Sequence, residues 1–360
     1  MTTPPRAVMR ARNALRAELA DLGPGATIAV ACSGGADSLA LASELAFLAR
    51  RQGWRTAAFL VDHGLQPGSD TVIATAAHAC QELGIDIVET VRVKVPQGAG
   101  TGGLEAAART ARYRALTELA QRHEAHTVLL GHTLDDQAET VLLGLARGSG
   151  TRSLAGMRPR IGIFRRPYLA LTRADTEAVC AHASLEFWVD PTNLAAHDGP
   201  LRSQVRGRVL PLLDEILGPR IADTLARTAA QSQDDADALD ALAEELLTQA
   251  LVAREPNAGQ PDAEGAGLGT VPDSSESRNA MHVTLRLAPL ETAPRALRTR
   301  ALRAAALRAG VPAGPLKYRH VEEIERLVTH WRGQKPIDLP GAFTAWRASG
   351  HITISPPTLE

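Results

Sequence analysis

Thr27-Ile28-Ala29-Val30-Ala31-Cys32 runs without a break into Ser33-Gly34-Gly35-Ala36-Asp37-Ser38, and helical spacing of apolar residues takes over from Leu39 to Arg51. The first six residues read as a short buried strand. Glycines at 34 and 35 let the backbone approach a phosphate, and successive N–H groups form an anion-binding nest. The helix that follows adds the positive end of its dipole. Ser33 and Ser38 can donate hydroxyl hydrogen bonds, and Asp37 can hold Mg2+. An ordinary strand-to-helix turn would also use Ser-Gly-Gly, so the spacing and the flanking elements carry the phosphate reading. Neither G-x-x-x-x-G-K-[ST] nor G-x-G-x-x-G is present here, which excludes the usual nucleoside triphosphatase and dinucleotide loops.

Outward from this loop, strands and helices alternate. Thr56–Asp62 and Ile85–Val95 read as strands, with a helix over Asp70–Leu83 between them. Leu104–Arg122 reads as a helix, Thr127–Leu130 as a strand and Asp135–Arg147 as a helix. This order predicts an α/β fold, a doubly wound and mostly parallel sheet with ligands at the strand ends. Residues 215–250 read as helical, and Glu255–Ala280 is rich in Gly, Pro, Ser and acids, as a flexible linker would be. After it come a strand over Met281–Leu287, helices over Arg295–Arg308 and Tyr318–Trp331, and a closing strand over Phe343–Ile354.

The chain has 360 residues, 44% of them apolar, which is enough for two or three globular domains. No run approaches the ~18 apolar residues of a membrane span, and Met1 to Arg12 does not resemble a signal peptide. Three scattered cysteines, Cys32, Cys80 and Cys180, fit a reducing cytoplasm, and the lack of a CxxC pair argues against iron–sulfur or structural zinc sites. His123, His126, His182 and His197 show no metal-ligand spacing. Net charge is −1, yet residues 234–280 hold 11 Asp/Glu against 2 Arg, leaving +8 on the rest. Of 39 basic residues 36 are Arg, the side chain that forks onto phosphate. This distribution permits a polyanionic partner without requiring one.

Three further stretches carry chemistry. Val61-Asp62-His63-Gly64-Leu65 closes the second strand, where it is either a plain turn or a nucleotide contact beside the first loop. Glu105, Arg109 and Arg112 share one helical face, either a solvated salt-bridged face or arginines aimed at phosphate. In Gly131-His132-Thr133-Leu134-Asp135-Asp136-Gln137-Ala138-Glu139-Thr140, Asp136 and Glu139 project together from the sheet's ligand end and could bind an ammonium group or Mg2+. Leu145-Ala146-Arg147-Gly148-Ser149-Gly150-Thr151 follows as a basic loop.

The S-G-G-x-D-S loop resembles that of the PP-loop ATP pyrophosphatases, whose loop holds the β- and γ-phosphates while the enzyme cleaves between α and β. Within that superfamily, G-H-x-x-D-D-Q-A-E-T followed by R-G-S-G resembles the tRNA(Ile)-lysidine synthases. So do V-D-H-G-L, the E-A-A-A-R-x-x-R-Y helix, Arg166-Pro167-Tyr168-Leu169, Asp190-Pro191-Thr192-Asn193, Arg202-Ser203-Gln204-Val205-Arg206 and Leu210-Pro211-Leu212-Leu213. The likeness covers about residues 26–216 in order. Ser203, Thr133 and Gln66 depart from the family's usual Asn, second His and Arg. Arg332-Gly333-Gln334 and Asp338-Leu339-Pro340-Gly341 resemble the tails of its short-form members.

The resemblance implies a PP-loop catalytic domain of adenine nucleotide alpha hydrolase type over residues 1–216, a helical segment over 217–253, a flexible acidic linker over 254–280 and a smaller, mainly helical, Arg-rich tRNA-binding region over 281–360. It implies ATP, L-lysine and the CAU-anticodon isoleucine tRNA as substrates, with Mg2+. A cytoplasmic protein acting away from membranes is expected, and a homodimer stays open. Ser33, Gly34, Gly35, Ala36, Asp37, Ser38, Asp62 and His63 are expected to bind ATP, and Asp37 the metal. Asp136 and Glu139 are expected to bind lysine, and Asp37, Arg112, Asp136 and Arg206 to serve catalysis. The Arg-bearing helices over 295–331 are expected to hold the tRNA. The competing readings are another PP-loop tRNA modifier such as a cytidine thiolase, a small-molecule ligase such as NAD synthetase, and a nucleotide-binding module without catalysis.

Overall fold

A computed structural model of the chain describes residues 3–64, 68–95, 104–148, 151–189, 200–252 and 282–356. The expected linker over 254–280, Asp190-Pro191-Thr192-Asn193, Gln66, Ser149-Gly150 and the Glu105 side chain lie outside the described residues.

The chain divides into two compact units, Met1–Gln233 and Asp234–Glu360. The first opens with α1 (Arg6–Glu18), then β1 (Thr27–Ala31), α2 (Ala36–Gln52), β2 (Arg55–Asp62), α3 (Ser69–Glu82), β3 (Ile87–Arg92), α4 (Leu104–Arg122), β4 (Thr127–Leu130) and α5 (Leu134–Ala146). A short α6 (Thr151–Leu154), β5 (Arg160–Ile161), β6 (Phe164–Arg165) and α7 (Arg173–His182) follow. Then come α8 (Leu201–Gln204), a π-helical segment (Val205–Val209), α9 (Leu210–Leu217) and α10 (Ile221–Ala250), within which the division falls.

The sheet order is β3-β2-β1-β4-β6-β5. All neighbours are parallel except β5 and β6. Strand order reverses between β1 and β4, so the crevice of this doubly wound fold opens beyond their carboxyl ends. Alternation along the strands splits the core between two faces. Ile28, Val30, Ala58, Leu60 and Leu129 pack with Leu15, Leu39, Leu41, Leu45 and Val179 of α1, α2 and α7. Ala29, Ala57, Phe59, Val128 and Leu130 point the other way, onto Leu116 and Leu119 of α4. Helix α1 escapes a reading that looks for apolar runs. Its Val8, Ala11, Arg12 and Leu15 form one buried stripe, and Arg12 is matched there by Glu44, with Nε 2.7 Å from the carboxylate.

The second unit combines the end of α10 with β7 (Val283–Arg286), α11 (Leu287–Thr292), α12 (Arg295–Ala309), α13 (Tyr318–Thr329), β8 (Ile337–Leu339), β9 (Phe343–Ala348) and β10 (His351–Ser355). Its strands form an antiparallel sheet in the order β7-β10-β9-β8. The single strand expected over Phe343–Ile354 is thus a hairpin. Ser349 and Gly350 sit at φ 48° and 76°, as a two-residue I′ turn requires, and Ala348 pairs with His351. Leu285, Leu302, Ala306, Ile324, Ala345 and Ile352 build a core of its own. Among the described residues, no helix is long and apolar enough to cross a membrane.

Candidate active site

The loop after β1 is held by its own side chains. Ser38 Oγ accepts from the Ser33 N–H (3.1 Å) and donates to the Gly35 carbonyl (2.9 Å). Gly34 lies at φ +85°, and a Cβ there would sit 3.2 Å from Ala76. Gly35 caps α2. Across the crevice, Gly131 ends β4, and a Cβ on it would come within 2.9 Å of the Asp37 backbone. Such a contact allows only glycine, so it is Gly131 that lets the end of β4 close on the first turn of α2. From the far side the Trp188 N–H donates to the Gly34 carbonyl (2.9 Å).

These pieces enclose a cavity of about 760 Å³, a size that suits a nucleotide. Ser33, Gly35, Asp37 and Ser38 line it together with Asp62, His63, Arg112, His132 and Trp188. The expected ATP residues therefore converge on one space, with Gly34 and Ala36 inside the same loop.

Asp37 is largely withdrawn from water. Burial raises its carboxyl to about 6, against a hydrogen bond donated by Thr176 Oγ1 (2.5 Å); Asp136 adds to the rise, and Arg173 and Arg206 oppose it. A carboxylate in this state gains from a cation. Among the described residues no cluster of three or more His, Cys, Asp or Glu could cage a metal. Mg2+ fits such a setting, since it is usually bound by one or two carboxylates plus phosphate oxygens and water.

Asp62 has a different task. Its Oδ1 accepts from the Gly64 N–H (2.8 Å) and Ser69 Oγ (2.9 Å), and Arg92 stands 3.6 Å from Oδ2. Burial works against the charge, but the two hydrogen bonds and Arg92 outweigh it and keep this carboxyl below its usual range. Asp62 thus shapes the turn that presents His63. Burial and the Arg112 charge lower the His63 pKa, so its ring is neutral, and its Nδ1 is buried without a hydrogen-bond partner. His132 is similar. Burial pulls it down to about 4, with Arg166, Arg112 and Arg109 adding to the effect and Asp136 opposing it, and its Nδ1 also lacks a partner. Two neutral imidazoles with open nitrogens on cavity-lining residues suit hydrogen bonds to a nucleobase better than to a phosphate.

Asp136 and Glu139 meet on one face of α5, but they are turned towards Arg206 and are not among the residues lining the cavity. Arg206 Nε donates to Glu139 Oε1 (2.5 Å) and Nη2 to Asp136 Oδ1 (3.1 Å). Asp136 Oδ2 accepts from the Thr133 N–H at 2.8 Å and from its hydroxyl at 3.2 Å. Thr133 and Asp136 thus brace the start of α5. Glu139 is 0% exposed, and burial raises its pKa despite Arg206. Its Oε2 has no hydrogen-bond partner, although Arg202 stands 3.8 Å away. Arg206 lies in the π-helical segment, where the Leu210 N–H reaches back to the Val205 carbonyl. Such widened turns are frequent at functional sites. Buried Ser203 sits just before it.

Thr176, Trp188 and Gly131 escape sequence reasoning as site residues. Thr176 and Trp188 act through a single contact each, from parts of the chain with no phosphate or acid pattern. Gly131 could have been singled out, since a glycine ending a strand often marks a close backbone approach.

Comparison with known proteins agrees with this geometry. Residues 9–213 match the family model of a PP-loop domain, and residues 285–353 match a TilS substrate binding domain. The chain is 48% identical to a tRNA(Ile)-lysidine synthase of Thermobifida fusca, over 99% of each chain. A synthase of the same name from Streptomyces coelicolor is 48% identical over 91% of this chain and 84% of its own. One from Leifsonia xyli is 44% identical over 94% and 92%. Among solved structures, the U34-tRNA thiolase NcsA from Methanococcus maripaludis with its [4Fe-4S] cluster covers 62% of this chain and 79% of its own, at a TM-score of 0.53 and 20% identity. That likeness speaks for the fold alone.

Proposed function

The chain belongs to the tRNA(Ile)-lysidine synthase family, and from that premise we propose that it joins L-lysine to C2 of the wobble cytidine in the CAU-anticodon isoleucine tRNA, by way of an adenylated tRNA. The observation that best supports the reading is a shared helix. Asp37 lines the nucleotide cavity and accepts from Thr176 of α7 (2.5 Å), whose first residue Arg173 donates its N–H to Asp135 beside Asp136 (2.8 Å), so α7 ties the phosphate loop to the helix that carries the acids.

The chemistry needs both halves. Cytosine O2 is a poor leaving group, so an amine cannot displace it directly. Attack of O2 on the α-phosphorus of ATP forms the adenylate and expels pyrophosphate. Attack of the lysine ε-amine at C2 then expels AMP, and the amine loses its proton. The amides and hydroxyls of residues 33–38 hold the pyrophosphate, and Arg112 spreads the charge that develops on the phosphates. Asp37 would hold Mg2+, which would supply positive charge to offset that of the departing pyrophosphate. The ε-amine must arrive neutral. Asp136 is therefore best assigned to the α-ammonium of lysine, while fully buried Glu139 acts by fixing Arg206, with Arg206 and Arg202 near the lysine carboxylate. The buried free thiols Cys32, Cys80 and Cys180 fit a cytoplasmic setting.

Glu139→Gln tests the lysine assignment. The charge-assisted contact by which Glu139 fixes Arg206 contributes ~1.5–3 kcal/mol, so the KM for lysine should rise roughly ten- to a hundredfold. Adenylated tRNA should still form without lysine, because Asp136 continues to hold Arg206. If Glu139→Gln instead stops adenylation and leaves the lysine requirement unchanged, Glu139 serves the ATP step.

A further inference from the structure

The arginines of α12 are engaged inside their own unit. Arg295 pairs with Glu322 and Glu325 at 3.0 and 3.1 Å. Arg298 is buried on Glu325 (2.9 Å) and donates to the Ala293 carbonyl. Arg300 pairs with Asp240 (3.1 Å), Arg308 with Glu244, and Arg303 donates to the Leu316 carbonyl (3.1 Å). Four of these five guanidinium groups are thus matched by a carboxylate of the same unit, and Arg303 by a backbone carbonyl.

The turn after α13 is arranged in the opposite sense. His330-Trp331-Arg332-Gly333-Gln334-Lys335 is exposed throughout. Its shape is set from within. The Gln334 side chain accepts from the Arg332 N–H (2.7 Å) and donates to the His330 carbonyl (2.6 Å), and Gly333 takes φ +80°. Trp331, 36% exposed, lies against the Arg347 guanidinium (5.7 Å), which also caps the end of α13 through the Leu327 and Val328 carbonyls at 2.9 and 3.1 Å. Among the described residues no carboxylate pairs with Arg332 or Lys335, and Glu322 and Glu325 of α13 are committed to Arg295 and Arg298.

An indole braced from behind and flanked by unmatched cations is suited to single-stranded or splayed-out RNA, which proteins bind by stacking bases on aromatic rings and matching phosphates with cations. We propose that the turn His330–Lys335 is the surface on which this unit receives the tRNA, with Arg332 and Lys335 on phosphates and Trp331 stacked on an unpaired base. The proposal rests on the tRNA reading above. It narrows the expected contact from the Arg-bearing helices over 295–331 to the turn at their end.

The test measures binding of the CAU-anticodon isoleucine tRNA to the full chain across a salt series. Arg332→Ala/Lys335→Ala should weaken binding several-fold at ~0.1 M salt and flatten the log–log salt slope by about 1 to 2. Trp331→Ala should weaken it about five- to a hundredfold with the slope unchanged, and Trp331→Phe should restore most of the loss. Arg300→Ala should lower the melting temperature and leave the slope alone. Unchanged affinity and slope in the double variant overturn the proposal, whatever else that turn binds, as does a slope change of equal size in Arg300→Ala. A wild-type chain that binds no tRNA removes the tRNA reading as well, so the two failures are distinguishable.

Discussion

Asp37→Ala is expected to abolish tRNA-dependent pyrophosphate release and leave the protein folded. The carboxyl sits near 6, above its ordinary 3.8, chiefly through burial. A folded state that raises the pKa of an acid favours its protonated form. At pH 7 the charged group therefore costs stability, and its loss should hold or raise the melting temperature. Thr176 Oγ1 keeps a bond to the Arg173 carbonyl at 2.8 Å, so no hydroxyl is stranded. The catalytic loss should be large, since removing one group that stabilises transition-state charge costs about a hundred- to a thousandfold, and this one is also assigned the cation. Asp37→Asn keeps the shape and should be as inactive. A folded Asp37→Ala protein that releases pyrophosphate at the normal rate would remove Asp37 from the chemistry.

Arg206→Ala should lose activity and also stability, in a pH-dependent way. It leaves Glu139, fully buried, without its hydrogen-bonded cation, and Arg202 at 3.8 Å only partly compensates. Breaking a buried pair from one side costs about 3–5 kcal/mol. Part of that cost can be avoided if Glu139 takes up a proton. Its folded pKa is already raised above 4.5, and loss of Arg206 raises it further. The folded state then binds more protons than the unfolded one, so stability falls as pH rises from about 4.5 and levels off above the new folded pKa. The melting deficit relative to wild type should thus be small near pH 4.5 and largest near pH 8. Adding Glu139→Gln removes the buried charge and should recover much of the stability without recovering activity. Equal deficits at both pH values, or no recovery in the double variant, would show that the pair is not what holds this region together.

The sequence made the first unit legible because its strands are short apolar runs punctuated by glycine and acid, and because the loop after β1 must be built from residues a phosphate can approach. The loop residues Ser33, Gly35, Asp37 and Ser38 that line the cavity were legible for the same reason. What stayed hidden depends on distance. Nothing local says that Arg206 would close on Glu139 and Asp136, 67 and 70 positions away. Nor does anything local say that Trp188 would cross the loop at Gly34. The arginines of α12 could be counted in the sequence, but not that Asp240, Glu244, Glu322 and Glu325 of α10 and α13 pair with four of them. The two strands of the β9–β10 hairpin read as one, since Ser349-Gly350 is a brief interruption in an otherwise alternating pattern.

The most direct test of the central reading is transfer of label from lysine to RNA. The protein is incubated with ATP, Mg2+, radiolabelled L-lysine and either the CAU-anticodon isoleucine tRNA or a methionine tRNA of the same anticodon, and acid-stable label in RNA is counted with AMP and pyrophosphate. The account predicts label in the isoleucine tRNA alone, with one AMP and one pyrophosphate per lysine. Pyrophosphate and AMP released without any label in either RNA would contradict it.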